Sequence, residues 1–199
     1  VIGLTLAIST SSPALSLALS DGLNLVAHDH RLIGRGHAEA LVPAIEALMA
    51  GRRADAIIVD IGPGSFTGIR IGIAAARALG LAWGVPVTGF EAGAVVAAQA
   101  FTRSPLLAGV SILLDAGRGQ IFHQRVSHDF AAGAIATTAP ADLVVGAHEA
   151  TAGAMAPESP NRLHDSHPDA AFVLTIAAAR RALPPRALYV RPPDVVLPL

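Results

Sequence analysis

The chain contains no cysteine among its 199 residues, which excludes disulfides, thiolate metal sites and a cysteine nucleophile and fits a reducing compartment such as the cytoplasm. Charge is also scarce. Charged residues make up 15% and the formal net charge is −1, so there is no broad basic surface to hold a polyanion by counterion release. Six Phe, one Trp and one Tyr leave few platforms for stacking unpaired bases, so any role in RNA chemistry calls for a partner. The most apolar stretch, residues 69–87, is broken by Arg70, Arg77 and glycines where a membrane span needs about twenty nearly unbroken apolar residues. The apolar residues 1–8 lack a preceding basic region and run straight into four Ser/Thr residues, a poor match to a signal peptide. What the chain has in quantity is apolar residues, 52%, enough to bury a sizeable α/β core.

The pattern opens as an antiparallel meander, with strands at 1–8, 14–19 and 23–28 separated by the turn 9–13 and by Asp21-Gly22. Ala38, Leu41, Val42, Ile45 and Leu48 then recur at helical spacing over 37–50 until Gly51. A short strand at 56–61 feeds the sequence Gly62-Pro63-Gly64-Ser65-Phe66-Thr67-Gly68, followed by a helix over 69–83, a strand at 85–88 and a helix over 91–101. The pattern restarts near 102–105, predicting a first lobe of residues 1–103 and a second of 104–199. In the second lobe, strands at 106–114 and 121–126 flank the turn 117–119. Residues 131–161 are weakly periodic, with a strand at 143–145. Composition predicts a helix over 170–183, ended by Pro184-Pro185, and an extended proline-bearing tail over 187–199 that lies against another surface.

Two loops are candidates for holding a phosphate. In the first, Gly62, Gly64, Ser65, Thr67 and Gly68 follow a strand and open a helix, where amides and the helix dipole can receive an anion. Ile69 stands where a Walker loop has Lys, and Thr67 where the dinucleotide fingerprint has its third glycine. The competing reading is a tight turn whose glycines serve positive φ and close helix–sheet packing. In the second, Ser9, Thr10 and Ser11 form a hydroxyl-rich turn that either receives an anion or caps its own backbone. Neither loop carries a carboxylate to hold Mg²⁺, which argues against phosphoryl transfer, and Asp60, at a strand end, is better suited to capping the turn.

Other chemistries find less support. Ser65 is not in a Gly-x-Ser-x-Gly elbow, and the eight histidines show no zinc-site spacing. His28 and His30 share a strand face that suits a solvated edge better than a ligand pair, His37 is expected to be exposed, and Asp115 and Arg118 to stabilise a turn. The helix over 69–83 is apolar nearly all round. Ile69, Ile73, Ala76 and Leu79 form one stripe, and Ile71, Ala75, Ala78 and Ala82 extend other faces, so it is either internal or covered on one side by a partner.

Taken together, Gly62-Pro-Gly-Ser-Phe-Thr-Gly-Ile-Arg-Ile-Gly72, Leu6-Ala-Ile-Ser-Thr-Ser11, His37-Ala-Glu-Ala-Leu-Val-Pro43, Asp115-Ala-Gly-Arg118 and Tyr189-Val-Arg-Pro-Pro-Asp194 resemble the TsaB (YeaZ) family across most of the chain. The resemblance implies an α/β, two-lobed actin-like and hexokinase-like (ASKHA) fold with a degenerate second lobe. It implies a non-catalytic subunit that supports the catalytic homologue TsaD in threonylcarbamoyl transfer to adenosine 37 of tRNA. The partners it implies are TsaD as a heterodimer, TsaE, and a second copy of the chain when alone, with tRNA reached only indirectly and no membrane. No cofactor is required, ATP or ADP being allowed at the complex interface. The docking surface it implies comprises Ile69, Arg70, Ile71, Ile73, Ala75, Ala78 and Ala82 with Leu41 and Ile45. Ser9 stands where the family usually has Asp. The alternatives are a small-molecule kinase or ATPase of the same fold and a peptidase.

Overall fold

A computed structural model of the chain describes residues 3–190. The predicted tail over 187–199 is thus described only as far as residue 190, and its remainder, with residues 1 and 2, lies outside the described residues.

The opening meander is present as β1 (Leu4–Ser9), β2 (Ala14–Asp21) and β3 (Asn24–Leu32), joined by β4 (Ala56–Asp60) and β5 (Val87–Phe90) in the order β3-β2-β1-β4-β5. The meander strands pair antiparallel, whereas β1–β4 and β4–β5 pair parallel. The sheet is therefore mixed. β3 runs four residues beyond the expected His28, because as an outer strand it tolerates the polar stretch His28-Asp29-His30-Arg31.

On one face of this sheet, Leu6, Ile8, Leu15, Leu17 and Leu19 pack against α1 (His37–Met49) and α2 (Phe66–Trp83). On the other, Ala7, Ala18, Ile58 and Phe90 meet α3 (Ala92–Arg103) and the segment that follows Asp169. α3 carries a second sheet on its far side, ordered β8-β7-β6-β9, formed by β6 (Gly109–Gly117), β7 (Gln120–Ser127), β8 (Ala136–Thr138) and β9 (Thr151–Ala152). Every residue of α3 from Ala92 to Phe101 is buried, and its alanines allow both sheets to approach closely. The architecture is α/β and two-lobed, with a mixed sheet in each lobe.

Several expectations are corrected. Residues 170–183 form two 3-10 turns, Ala170–Thr175 and Ala178–Arg180, instead of an α-helix. Their buried residues, Ala170, Val173 and Ile176, recur every three residues, which matches 3-10 periodicity and not 3.6. Residues 143–145 form no strand: a 3-10 turn at Pro140–Asp142 precedes them, and Leu143 and Val145 pack against Leu113 and Ile121 as side chains only. β6 begins at Gly109, leaving Leu106 wholly exposed in a turn. α2 begins at Phe66 because Ser65 caps it, its hydroxyl accepting from the Gly68 amide at 3.2 Å.

Candidate functional site

The two candidate loops touch each other, and the contact explains the glycines. A Cβ on Gly68 would lie 2.0 Å from the Thr10 carbonyl oxygen, and one on Gly64 2.2 Å from that of Ser11. A Cβ on Gly72 would meet the Thr10 hydroxyl at 2.4 Å. Gly62 has φ 100°, open to glycine at little cost. The glycine run therefore seats the β1–β2 turn against the start of α2, as the close-packing reading expects.

The polar groups of both loops largely satisfy one another. Asp60, wholly buried at the end of β4, accepts from the Ser9 hydroxyl at 2.6 Å, the Ser11 hydroxyl at 2.5 Å and the Gly62 amide at 2.7 Å. It caps the turn as expected and also gathers the Ser9 and Ser11 hydroxyls, two of the candidate anion donors. Burial pushes its carboxyl above the usual carboxylate range, against the opposing pull of the Ser11 and Ser9 hydroxyls and the Gly62 amide. The Thr10 hydroxyl donates to the Gly68 carbonyl at 2.8 Å and the Ser65 amide to the Ser11 carbonyl at 2.6 Å. Asp60 lies about fifty residues from Ser9 and Ser11, and only the parallel β1–β4 register, which sets Ile8 beside Val59, brings them together.

A cleft of about 1040 Å³ opens beside these loops, lined by Ser11, Gly64, Ser65, Thr67 and Gly68 on one side and by the Asp115–Arg118 turn on the other. Ser9 and Thr10 have no exposed surface, so only part of the predicted phosphate set reaches the cleft. At its edge the His167 ring is pushed below its usual range by burial and then by the charge of His30. His37, expected at the surface, is buried, its Nε2 lying 3.3 Å from the Ala14 carbonyl. In the turn, Asp115 Oδ1 accepts from the Gly117 amide at 2.7 Å.

The predicted docking set divides by depth. Leu41, Ile45, Ile69 and Ile73 are core residues, exposed by 1%, 4%, 1% and 7%, because they sit on the sheet-facing stripes of α1 and α2. They support the outer surface without reaching it. Ile71 and Ala75 are half-buried, whereas Arg70, Ala78 and Ala82 are exposed. Leu81, not among the predicted residues, is 87% exposed beside them, and Val42 of α1 is exposed too. Leu81 could have been found by extending the Ala78 and Ala82 face by its neighbour. The chain's last described residues flank this face. Arg70 stacks 3.6 Å over the Phe66 ring and donates to the Tyr189 hydroxyl, and Arg77 donates to the Pro185 carbonyl at 2.7 Å.

The family model described as TsaD, tRNA N6-adenosine threonylcarbamoyltransferase, matches residues 31–165. The solved structure of YeaZ from Pseudomonas aeruginosa superposes with a TM-score of 0.78 at 25% identity, covering 94% of this chain and 99% of that one. The chain belongs to the TsaB (YeaZ) family. An uncharacterized protein of Mycobacterium tuberculosis is 32% identical over 206 residues, spanning 97% of this chain and 94% of its own length. The threonylcarbamoyladenosine biosynthesis protein TsaB of Bacillus subtilis is 31% identical over 122 residues, 59% of this chain and 52% of that one. Among the described residues of this TsaB-family chain, no helix is long and apolar enough to cross a membrane.

Proposed function

We propose that this chain is a non-catalytic cytoplasmic subunit of the machinery that makes threonylcarbamoyladenosine on tRNA, docking the catalytic homologue TsaD through the outer face of α2. Family membership supports the pathway. The observation that carries the docking role is the exposed face of Ala74, Ala78, Leu81 and Ala82, small except for the protruding Leu81, on a helix whose opposite stripe is fixed in the core. A partner helix can approach such a face closely. Removing the Leu81 side chain from water would return about 25 cal/mol per Å² before association costs. The same face would pair two copies of the chain when TsaD is absent. TsaE would join through that assembly, and tRNA would be held by the partner, since the chain's net charge is −1.

The non-catalytic part of the proposal rests on Ser9, Thr10 and Ser11, whose hydroxyls donate to Asp60 and to the Gly68 carbonyl. A kinase or ATPase of this fold would need such donors directed at a phosphate. Nucleotide, where present, would sit at the interface with the partner.

Ala78→Glu and Leu81→Glu place a charge on the exposed face without disturbing the core. Both variants are expected to keep the wild-type circular dichroism spectrum and to bind TsaD at least about tenfold more weakly in calorimetry, because an unpaired charge would be buried in the contact. Folded variants that bind TsaD with wild-type affinity would refute the docking role.

A further inference from the structure

We propose that His28, His30 and Asp169 form a binding site for a divalent transition-metal cation of the zinc class, clipping the outer strand β3 to the start of the 3-10 segment. His28 and His30 stand two residues apart on β3 and so share a face of the sheet. Asp169 reaches that face from far along the chain. One donor atom from each of the three lies within 4.8 Å of the others. His28 Nε2 is 2.7 Å and His30 Nδ1 4.0 Å from the same oxygen, Asp169 Oδ1. In a tetrahedral zinc site with metal–ligand bonds near 2.0–2.1 Å, donor atoms stand about 3.3 Å apart, between these two distances. Modest side-chain adjustment therefore reaches coordination geometry.

The surroundings favour a cation over a simple ion pair. A lone His–Asp pair uses only His28, whereas the strand spacing sets a second imidazole alongside it, the ring centroids 6.2 Å apart and near parallel, facing the same carboxylate. Two imidazoles and one carboxylate are a borderline-soft donor set suited to zinc, with a fourth position left to water. The side chains of His28 and His30 are 31% and 30% exposed, so an ion can enter, while that of Asp169 is 16% exposed and held in place. Its Oδ1 accepts from the Ala171 amide at 2.9 Å and lies 3.4 Å from the Ser16 hydroxyl, which itself accepts from the Ala170 amide. The Asp169 amide donates to Gln99 of α3 at 2.9 Å. Such outer contacts fix the orientation of a metal ligand before the ion arrives.

The test uses the full, untagged chain after chelator treatment, titrated with zinc chloride in calorimetry and with Co²⁺ monitored by visible absorption. The expected result is one zinc equivalent per chain and a Co²⁺ ligand-field band. A His28→Ala/His30→Ala double variant, folded by circular dichroism, should lose at least about 100-fold in affinity, and the exposed His148→Ala should bind as wild type. Asp169→Ala should match the histidine variant. Should it unfold, the histidine variant still decides. No saturable zinc binding by the wild-type chain, or wild-type affinity in the double histidine variant, would overturn the proposal.

Discussion

Gly68→Ala is expected to lower the unfolding free energy by about 3 kcal/mol or more, measured by urea denaturation with circular dichroism. The added methyl would stand 2.0 Å from the Thr10 carbonyl oxygen, a backbone atom that cannot rotate aside. Relief would require the β1–β2 turn to lift from α2, pulling the Ser11 carbonyl off the Ser65 amide and the Thr10 hydroxyl off the Gly68 carbonyl. Gly72→Ala offers the internal comparison. There the methyl meets the Thr10 hydroxyl, a side-chain group able to turn away, so the expected loss is only about 1–2 kcal/mol, that of one hydrogen bond and some overpacking. Equal stability of Gly68→Ala and wild type would contradict the close-packing account of the glycine run.

Asp60→Ala is expected to cost about 3 kcal/mol or more, since it strands the Ser9 and Ser11 hydroxyls and the Gly62 amide in a buried pocket. Asp60→Asn is a milder change that removes the titration while keeping an oxygen for the Gly62 amide. Comparing it with wild type isolates a pH dependence whose sign follows from burial. The folded carboxyl titrates above its ordinary 3.8, so between 3.8 and the raised folded value the native state binds more protons than the unfolded one. The stability conferred by this group is thus fully present below 3.8 and is lost as pH rises through the folded value. Wild-type stability minus that of Asp60→Asn should fall across this window and then level off. A difference that rises with pH would mean that the hydroxyl bonds outweigh burial at Asp60.

The elements legible in the sequence are those whose partners lie nearby or whose periodicity is clean. The Asp21-Gly22 hairpin, the Leu41-Ile45-Leu48 stripe of α1 and the strand, glycine loop and helix from β4 to α2 all rest on local spacing. All-round apolarity marks the helix over 69–83 as one that could be internal. The helix enclosed on all sides is α3, whose alanines carry too little hydrophobicity individually to announce a fully buried run. The segment 170–183 is composed like an α-helix, yet its burial repeats every three residues, a distinction that depends on which surface it packs against. Asp60 with Ser9 and Ser11, and Asp169 with His28, lie beyond local pattern because the residues are separated by 51, 49 and 141 positions. No spacing rule reaches across a sheet register that has not yet been built.

The position of α3 has a consequence for how the molecule opens. Its residues 92–101 are buried between the two sheets, so no local fluctuation of either sheet alone exposes the helix backbone to solvent. Amide protons in the middle of α3 should therefore exchange with deuterium only through global unfolding, at rates that track the full denaturant-measured stability, while those of the outer strand β3 exchange through smaller openings. A chain cut after residue 103 would carry α3 stripped of β6 and β7 and of the segment after Asp169, exposing Val96, Ala97 and Ala100 on the first side and part of Val95 and Ala98 on the other. The two lobes, distinct as sheets, thus form one cooperative unit, and Gly68→Ala or Asp60→Ala, both outside α3, should accelerate exchange within it.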